Sequence, residues 1–138
     1  MDHKRILFVD DELELLKMFK RYFEKKGFFV DTAPCGREAI DKLRGSDFDL
    51  LILDIKLPDM LGDEVVRSLR AEKNEIEIIM ITGYPNLQDS IDLLEYRIHD
   101  ILLKPVTTEE LLRVTNEVLN PLSDGSSDNP CQVVSPQS

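Results

Sequence analysis

The stretch Asp49-Leu-Leu-Ile-Leu-Asp54 constrains the chain more than any other. Leu50, Leu51, Ile52 and Leu53 are apolar without alternation, and the run is too short for a helix. A strand that is apolar on both faces must be covered on both. That is the condition of a central strand in a parallel sheet with helices on each side. The run ends in a carboxylate, Asp54, and in open α/β sheets ligands sit beyond the carboxyl ends of the strands. Taken alone, Asp54 reads equally as the residue that opens a turn before Leu57-Pro58-Asp59, because Asp is favoured at strand exits.

The rest of the chain repeats this unit. Ile6-Leu-Phe-Val9 is a first apolar run, followed by Asp10-Asp11-Glu12. Leu13, Leu16, Phe19 and Phe23 then recur at helical spacing until Gly27, a helix-stopping glycine. Phe28-Phe-Val30 predicts a short second strand, and Gly36 to Leu43 a second helix burying Ala39, Ile40 and Leu43, with a break at Gly45-Ser46. After the central strand, a third helix is predicted over Gly62–Ala71, with Val65, Val66 and Leu69 inward. Glu77–Ile81 is a fourth strand ending at Thr82-Gly83, and Pro85-Asn86 opens a fourth helix with Leu87, Ile91 and Leu94. Asp100–Leu103 is a fifth strand ending at Lys104-Pro105. Thr107 and Glu110 have capping-box spacing and open a fifth helix, with Leu111, Leu112, Val114, Thr115 and Val118 on its inner side.

Strands that alternate with helices require parallel pairing and right-handed crossovers. The expected fold is α/β, a flavodoxin-like (βα)5 three-layer sandwich around a five-stranded parallel sheet in order 2-1-3-4-5. In that order the crevice lies between the first and third strands.

Composition narrows the function. The 138 residues suit one domain, and 42% hydrophobic with 32% charged residues fit an ordinary globular protein. A net charge of -10 argues against direct binding of nucleic acid or an anionic membrane. No apolar run approaches the ~18 residues of a membrane-spanning helix. The start of the chain has no cleavable signal pattern. Cys35 and Cys131 suggest neither a disulfide framework nor a zinc site, so the expected location is the cytoplasm. From residue 121 the sequence turns small and polar, which reads as a flexible tail or truncated linker after a domain spanning 1–120; Cys131, Val133 and Val134 could anchor its end against a receiving surface.

What the strands deliver at their carboxyl ends is the functional signal. The first gives Asp10 and Asp11, the third Asp54, the fourth Thr82 and the fifth Lys104. Each has a plain structural alternative. An Asp pair after a strand is often a helix cap, Thr82 an ordinary strand exit, and Lys104 a solvated loop lysine. His3 and His99 read as surface residues. Together, however, three carboxylates in one crevice would repel one another and raise their own pKa values. An all-oxygen ligand set of that charge favours a hard divalent cation, Mg²⁺ or alternatively Mn²⁺. Beside it, Asp54 is a candidate nucleophile for a phosphoryl group, with Lys104 and Thr82 placed to meet the phosphoryl oxygens.

Phe8-Val-Asp-Asp-Glu12, Leu51-Ile-Leu-Asp-Ile-Lys-Leu-Pro58, Ile81-Thr-Gly83 and Leu102-Leu-Lys-Pro105, in that order, resemble the receiver domain of two-component response regulators. The resemblance covers about Lys4 to Leu119, and the strand order given above is the one known for chemotaxis members of this family. It implies that Asp54 accepts a phosphoryl group from a sensor histidine kinase or phosphotransfer protein. It implies that Asp11 and Asp54 bind Mg²⁺ directly with the backbone carbonyl of Lys56, and that Asp10 reaches the metal largely through water. Thr82 would swing towards the phosphoryl group, Lys104 would pair with it, and the peptide before Pro105 would be cis. The output surface would be the face of the fourth helix, fifth strand and fifth helix. The chain would act as a phosphoprotein in a phosphorelay, catalysing only its own phosphoryl transfer and autodephosphorylation. It would be a monomer or weak homodimer with a downstream protein target or a missing output domain.

The sequence departs from that pattern at the switch. Ile101 stands three residues before Lys104, where the family usually carries Tyr or Phe, and isoleucine cannot reproduce a two-position ring switch. Tyr84 and Tyr96 are the aromatic residues that could substitute, and Tyr96-Arg97 replaces the family's small Ala-Gly. Lys56 and Tyr84 flank the path of attacking water and are candidates for tuning phosphoryl lifetime. Two other readings stand beside the phosphorylated switch. One is a constitutive interaction module of receiver shape, supported by Ile101. The other is an aspartyl-nucleophile hydrolase, disfavoured because Lys56 occupies the place of a second carboxylate and no Gly-rich phosphate loop is present.

Overall fold

The computed structural model describes residues 3–83 and 96–120. The fourth predicted helix and Tyr84 lie outside the described residues, as does the tail from residue 121, with Cys131, Val133 and Val134. Within them the order is β1 (Arg5–Val9), α1 (Leu13–Lys25), β2 (Phe29–Ala33), α2 (Gly36–Gly45), β3 (Leu50–Asp54), α3 (Gly62–Ala71), β4 (Glu77–Thr82), β5 (Asp100–Leu103) and α4 (Thr108–Leu119). The last is the fifth helix of the sequence reading.

The strands form one parallel sheet in the expected order, β2-β1-β3-β4-β5. Every residue of β3 is buried, as its unbroken apolar run requires. The period-two alternation of strand side chains divides the interior into two cores. Leu7, Val9, Leu51, Leu53, Ile78, Met80 and Ile101 face α2 and α3, which contribute Ala39, Ile40, Leu43, Val65, Val66 and Leu69. Ile6, Phe8, Leu50, Ile52, Ile79 and Ile81 face α1 and α4, which contribute Leu16, Phe19, Phe23, Leu111 and Val114. In the second core the Phe8 ring sits 5.3 Å from Phe19 and 5.1 Å from Phe23. Each of these fully buried rings contributes about 1.5–3 kcal/mol relative to exposure.

Local chemistry ends the elements where the sequence places its breaks. Gly27 has φ 98°, a left-handed conformation that costs glycine nothing. Its N–H donates to Glu24 and that of Phe28 to Phe23, while the Phe28 and Phe23 rings lie 5.7 Å apart. This is a Schellman stop with its hydrophobic contact. Thr107 caps α4 by accepting the Glu110 N–H at 3.0 Å.

Three expectations are corrected. β2 covers Phe29–Ala33 rather than Phe28–Val30. It is an edge strand, and its ladder with β1 fixes Asp31 and Thr32 regardless of their polarity. Helix α2 continues to Gly45, because only at Ser46 does the backbone become extended. Leu13 is 58% exposed although it lies on the apolar stripe of α1, whose buried residues are Leu16, Phe19 and Phe23.

Candidate functional site

The sheet register brings the charged residues to one level. Val9 pairs with Leu53, so Asp10 follows on the same level as Asp54. Asp54 itself pairs with Ile81, which puts Thr82 one step beyond, and Thr82 pairs with Leu103, one residue before Lys104. Alternation then selects a face. Phe8, Ile52 and Leu102 point to the α1/α4 side, and two residues later so do Asp10, Asp54 and Lys104. Three charges thus continue three apolar columns of one core.

Lys104 Nζ is the centre of the resulting contacts. It donates to Asp54 Oδ2 at 3.2 Å and to Glu12 Oε1 at 3.1 Å, and it lies 2.9 Å from Asp10 Oδ2. The last contact is an ion pair without hydrogen-bond alignment, so Asp10 Oδ2 is buried with no hydrogen bond. Asp10 Oδ1 accepts the Glu12 N–H at 2.9 Å, and Asp54 Oδ1 the Lys56 N–H at 3.3 Å. Asp10 and Asp54 are 2% and 5% exposed, whereas Asp11 is exposed. Asp11, Glu12, Asp54, Lys56, Pro58 and Lys104 line a crevice of about 360 Å³. A hollow of about 450 Å³ at the other end of the sheet, between His3, Gly27, Phe28 and Asn116, holds none of these residues.

The electrostatics follow from burial. Loss of water pushes the Asp10 carboxyl above the ordinary carboxylate range, against the opposing pull of the Glu12 N–H and Lys104. Burial also raises Asp54, and the charge of Asp10 adds to it, with Lys104 opposing. For Lys104 burial works the other way and is outweighed by its close contact with Asp10 and the charges of Asp54 and Asp10, so the ammonium is held above its usual range.

The donor set suits a hard cation. Oxygens of Asp10, Asp11 and Asp54 all lie within 4.8 Å of one another, and Asp10 Oδ2, ion-paired to Lys104 but without a hydrogen bond, is buried among them. Asp10, Glu12 and Asp54 share the Lys104 ammonium, and Asp11 adds a fourth carboxylate to the cluster, a concentration of negative charge that a divalent ion would neutralise. The helix-cap alternative for Asp10 and Asp11 does not describe these contacts. The N-cap of α1 is Glu12, which makes no side-chain cap bond.

The other predicted residues lie as follows. Thr82 is fully buried, and its backbone carbonyl accepts the Lys104 N–H at 2.7 Å. The Lys104–Pro105 peptide is cis. Ile101 is buried at 8% exposure in the α2/α3 core, paired with Met80. Tyr96 is half-buried against that same core, and its carbonyl accepts the Arg70 Nε–H at 2.8 Å. His3 sits before β1 with Nδ1 2.7 Å from Gly27 O, and His99 lies 4.0 Å from Glu117. Three residues that sequence reasoning left out take part in the architecture. Glu12 is a partner of Lys104, Arg70 bonds four backbone carbonyls, and Asp59 binds the start of α2. Only Glu12 had a signal, its place in the acidic run; the other two are contacts between distant segments.

Fold and site together define a doubly wound α/β domain with an acidic, lysine-bearing crevice at the carboxyl ends of its parallel strands. The family model of the response regulator receiver domain matches residues 6–116. Response regulator SaeR of Staphylococcus epidermidis is 35% identical over 124 residues, 90% of this chain and 54% of SaeR. The chain spans about half the length of the curated relatives it matches. A CheY-like receiver domain protein from Methanospirillum hungatei superposes with TM-score 0.78 at 34% identity, covering 84% of this chain and 93% of the other. Response regulator TrrA of Thermotoga maritima, solved in complex with Mg²⁺-BeF, gives TM-score 0.74 at 34% identity, covering 84% of this chain and 99% of TrrA. The chain belongs to the response regulator receiver-domain family of two-component systems.

Proposed function

We propose that this receiver domain is a phosphorylation-controlled switch in which Asp54 is the phosphoacceptor. The observation that carries the reading is the contact of one ammonium, Lys104 Nζ, with both Asp54 and Asp10 in a crevice whose three aspartates approach within 4.8 Å. Asp10, Asp11 and Asp54, with the carbonyl of Lys56, would hold Mg²⁺ or Mn²⁺. Bound metal supplies positive charge against the phosphoryl oxygens and relieves the repulsion among the carboxylates.

The donor is a phosphohistidine on a sensor histidine kinase or phosphotransfer protein. An Asp54 carboxylate oxygen forms the bond to phosphorus as the phosphorus–nitrogen bond breaks, and the electron pair stays with the donor imidazole, which takes up a proton. Lys104 leaves its carboxylate partners to pair with the new phosphoryl oxygens, and the Thr82 hydroxyl donates to another. Those contacts bias a two-state equilibrium of the segment before β5, of β5 and of α4. That face would dock a downstream protein or a fused output domain following a domain that ends near residue 120. Nucleic acid and membrane are not partners of this reading. Lys56 and Tyr84 would set the phosphoryl lifetime through autodephosphorylation, the chain's only catalysis besides its own phosphorylation. The cytoplasm, as monomer or weak homodimer, is the setting that fits. Among the described residues no helix is long and apolar enough to cross a membrane.

One observation favours a second reading, a constitutive interaction module. Ile101 is packed into the α2/α3 core where a switching ring would be expected to move. Incubation with acetyl phosphate and Mg²⁺, followed by mass spectrometry, separates the two. A single phosphoryl adduct that is lost in Asp54→Ala is the expected result. Absence of any adduct from acetyl phosphate and from a phosphohistidine donor would sink the switch. An adduct that leaves partner affinity unchanged would favour the module.

A further inference from the structure

The loop that leaves Asp54 is closed on itself and tied to another helix. Lys56 and Leu61 form an antiparallel bridge, the Leu57 N–H donates to Met60 O at 3.2 Å, and the Gly62 N–H donates to Ile55 O at 2.5 Å. At Gly62 a Cβ would stand 2.8 Å from Asp54 O, so the loop returns against the backbone of the acceptor residue itself. Pro58 and Asp59 form its tip.

Asp59 binds a helix more than twenty residues away in sequence. Its Oδ1 accepts the Gly36 N–H at 2.8 Å and its Oδ2 the Arg37 N–H at 2.9 Å. These are the first two amides of α2, and they have no partner within the helix. The N-cap residue, Cys35, makes no side-chain cap bond, so Asp59 supplies the cap from another loop. The helix dipole and the two amides favour the charged carboxylate. Next to it Met60 packs against Gly36, where a Cβ would come within 2.6 Å of Met60 Cγ. Carboxylate and thioether together pin the loop to the start of α2.

The pinned segment carries Lys56, whose N–H reaches Asp54 Oδ1. We infer that Asp59 is a positioning residue for the Asp54 site: by capping α2 it fixes the Lys56 peptide beside the phosphoacceptor, and thereby the affinity of the site for a divalent cation. This rests on the reading of Asp54 as a magnesium-dependent phosphoacceptor. Ordinary helix capping would need only a side chain at Cys35. A cap sent from the Asp54 loop joins two segments that the sheet alone does not join.

The test compares wild type, Asp59→Ala, Asp59→Asn and the double variant Cys35→Ser/Asp59→Ala. Mg²⁺ affinity is measured by calorimetry, the phosphorylation rate with acetyl phosphate, and the thermal midpoint without metal. Serine at 35 restores a cap to α2 from its own N-cap position but cannot hold the loop. The expected result is a Mg²⁺ affinity lowered about 10-fold in Asp59→Ala, as for residues that orient a metal ligand, and less in Asp59→Asn, which keeps one acceptor. In the double variant the thermal midpoint recovers and the Mg²⁺ affinity does not. Unchanged affinity in folded Asp59→Ala, or recovery of affinity together with stability in the double variant, overturns the inference and leaves the phosphoacceptor reading intact. If Asp59→Ala does not fold, Asp59→Asn carries the same comparison. Failure of the wild type to bind Mg²⁺ overturns both.

Discussion

Lys104 Nζ lies 3.2 Å from Asp54 Oδ2 across fifty residues of sequence, and the side chains of both are largely buried. The ammonium stands where positive charge is needed in the acidic crevice. Lys104 and a divalent cation bound there would therefore compete to neutralise the same carboxylates.

Lys104→Ala removes the one cation in contact with Asp10 and Asp54 among the described residues. Breaking a buried pair leaves its partners unpaired, and with Lys104 21% exposed the cost is expected at about 2 kcal/mol in metal-free buffer. Mg²⁺ binding should tighten, because its competitor is gone. Denaturant unfolding without metal and a calorimetric Mg²⁺ titration check both directions; weaker metal binding in this variant would contradict the competition.

Asp54→Asn should act oppositely on stability. The Asp54 carboxylate is destabilised by burial and then by the charge of Asp10, so a neutral isostere is expected to stabilise the metal-free protein by about 1 kcal/mol. Lys104 keeps Asp10 and Glu12 as partners. A lower melting temperature in the absence of Mg²⁺ would show that the ion pair outweighs the repulsion.

Stability against pH should change sign with metal. Asp10 and Asp54 have raised folded pKa values, so the native state takes up protons before the unfolded chain does. Without metal, their contribution to stability improves as pH falls through those raised values towards the ordinary carboxylate range. Asp59 works in the other sense. Burial opposes its ionisation, but the Gly36 and Arg37 amides hold its carboxyl below the usual range. Its contribution is present above the unfolded value and lost as pH falls through the depressed folded one. With saturating Mg²⁺ the first effect should invert, because protonating Asp10 or Asp54 would expel a cation held by them. Melting temperatures across about pH 4 to 7, around the carboxylate range, with and without Mg²⁺, should diverge at the upper end and converge at the lower.

Arg70 offers a test away from the crevice. Its guanidinium donates to the carbonyls of Asn74, Ile76, Tyr96 and Arg97 at 2.8 to 3.1 Å. This ties the end of α3 to the segment entering β5. Arg70→Ala leaves these acceptors to solvent or unsatisfied, and a loss of about 2–3 kcal/mol is expected in equilibrium unfolding. A loss within about 0.5 kcal/mol, typical of an ordinary surface position, would show that water replaces the guanidinium.

The sequence alone determined the parallel α/β architecture, because the signals are local: apolar runs such as Leu50–Leu53, helical periodicity in α3, the glycine stop at Gly27. It also determined which residues end the strands, and with the sheet order that was enough to gather Asp10, Asp54 and Lys104 at one edge. It misplaced β2, where ladder hydrogen bonds rather than apolar side chains define the strand, and the helical spacing of Leu13 did not show that this residue stays exposed. Only the tertiary structure decided that Glu12 reaches Lys104, that Arg70 clasps the entry to β5 and that Asp59 caps α2. A carboxylate or guanidinium meets a backbone or side-chain partner across a loop only at a few ångströms, and such a meeting depends on how separate elements are docked, which no spacing within a single element records.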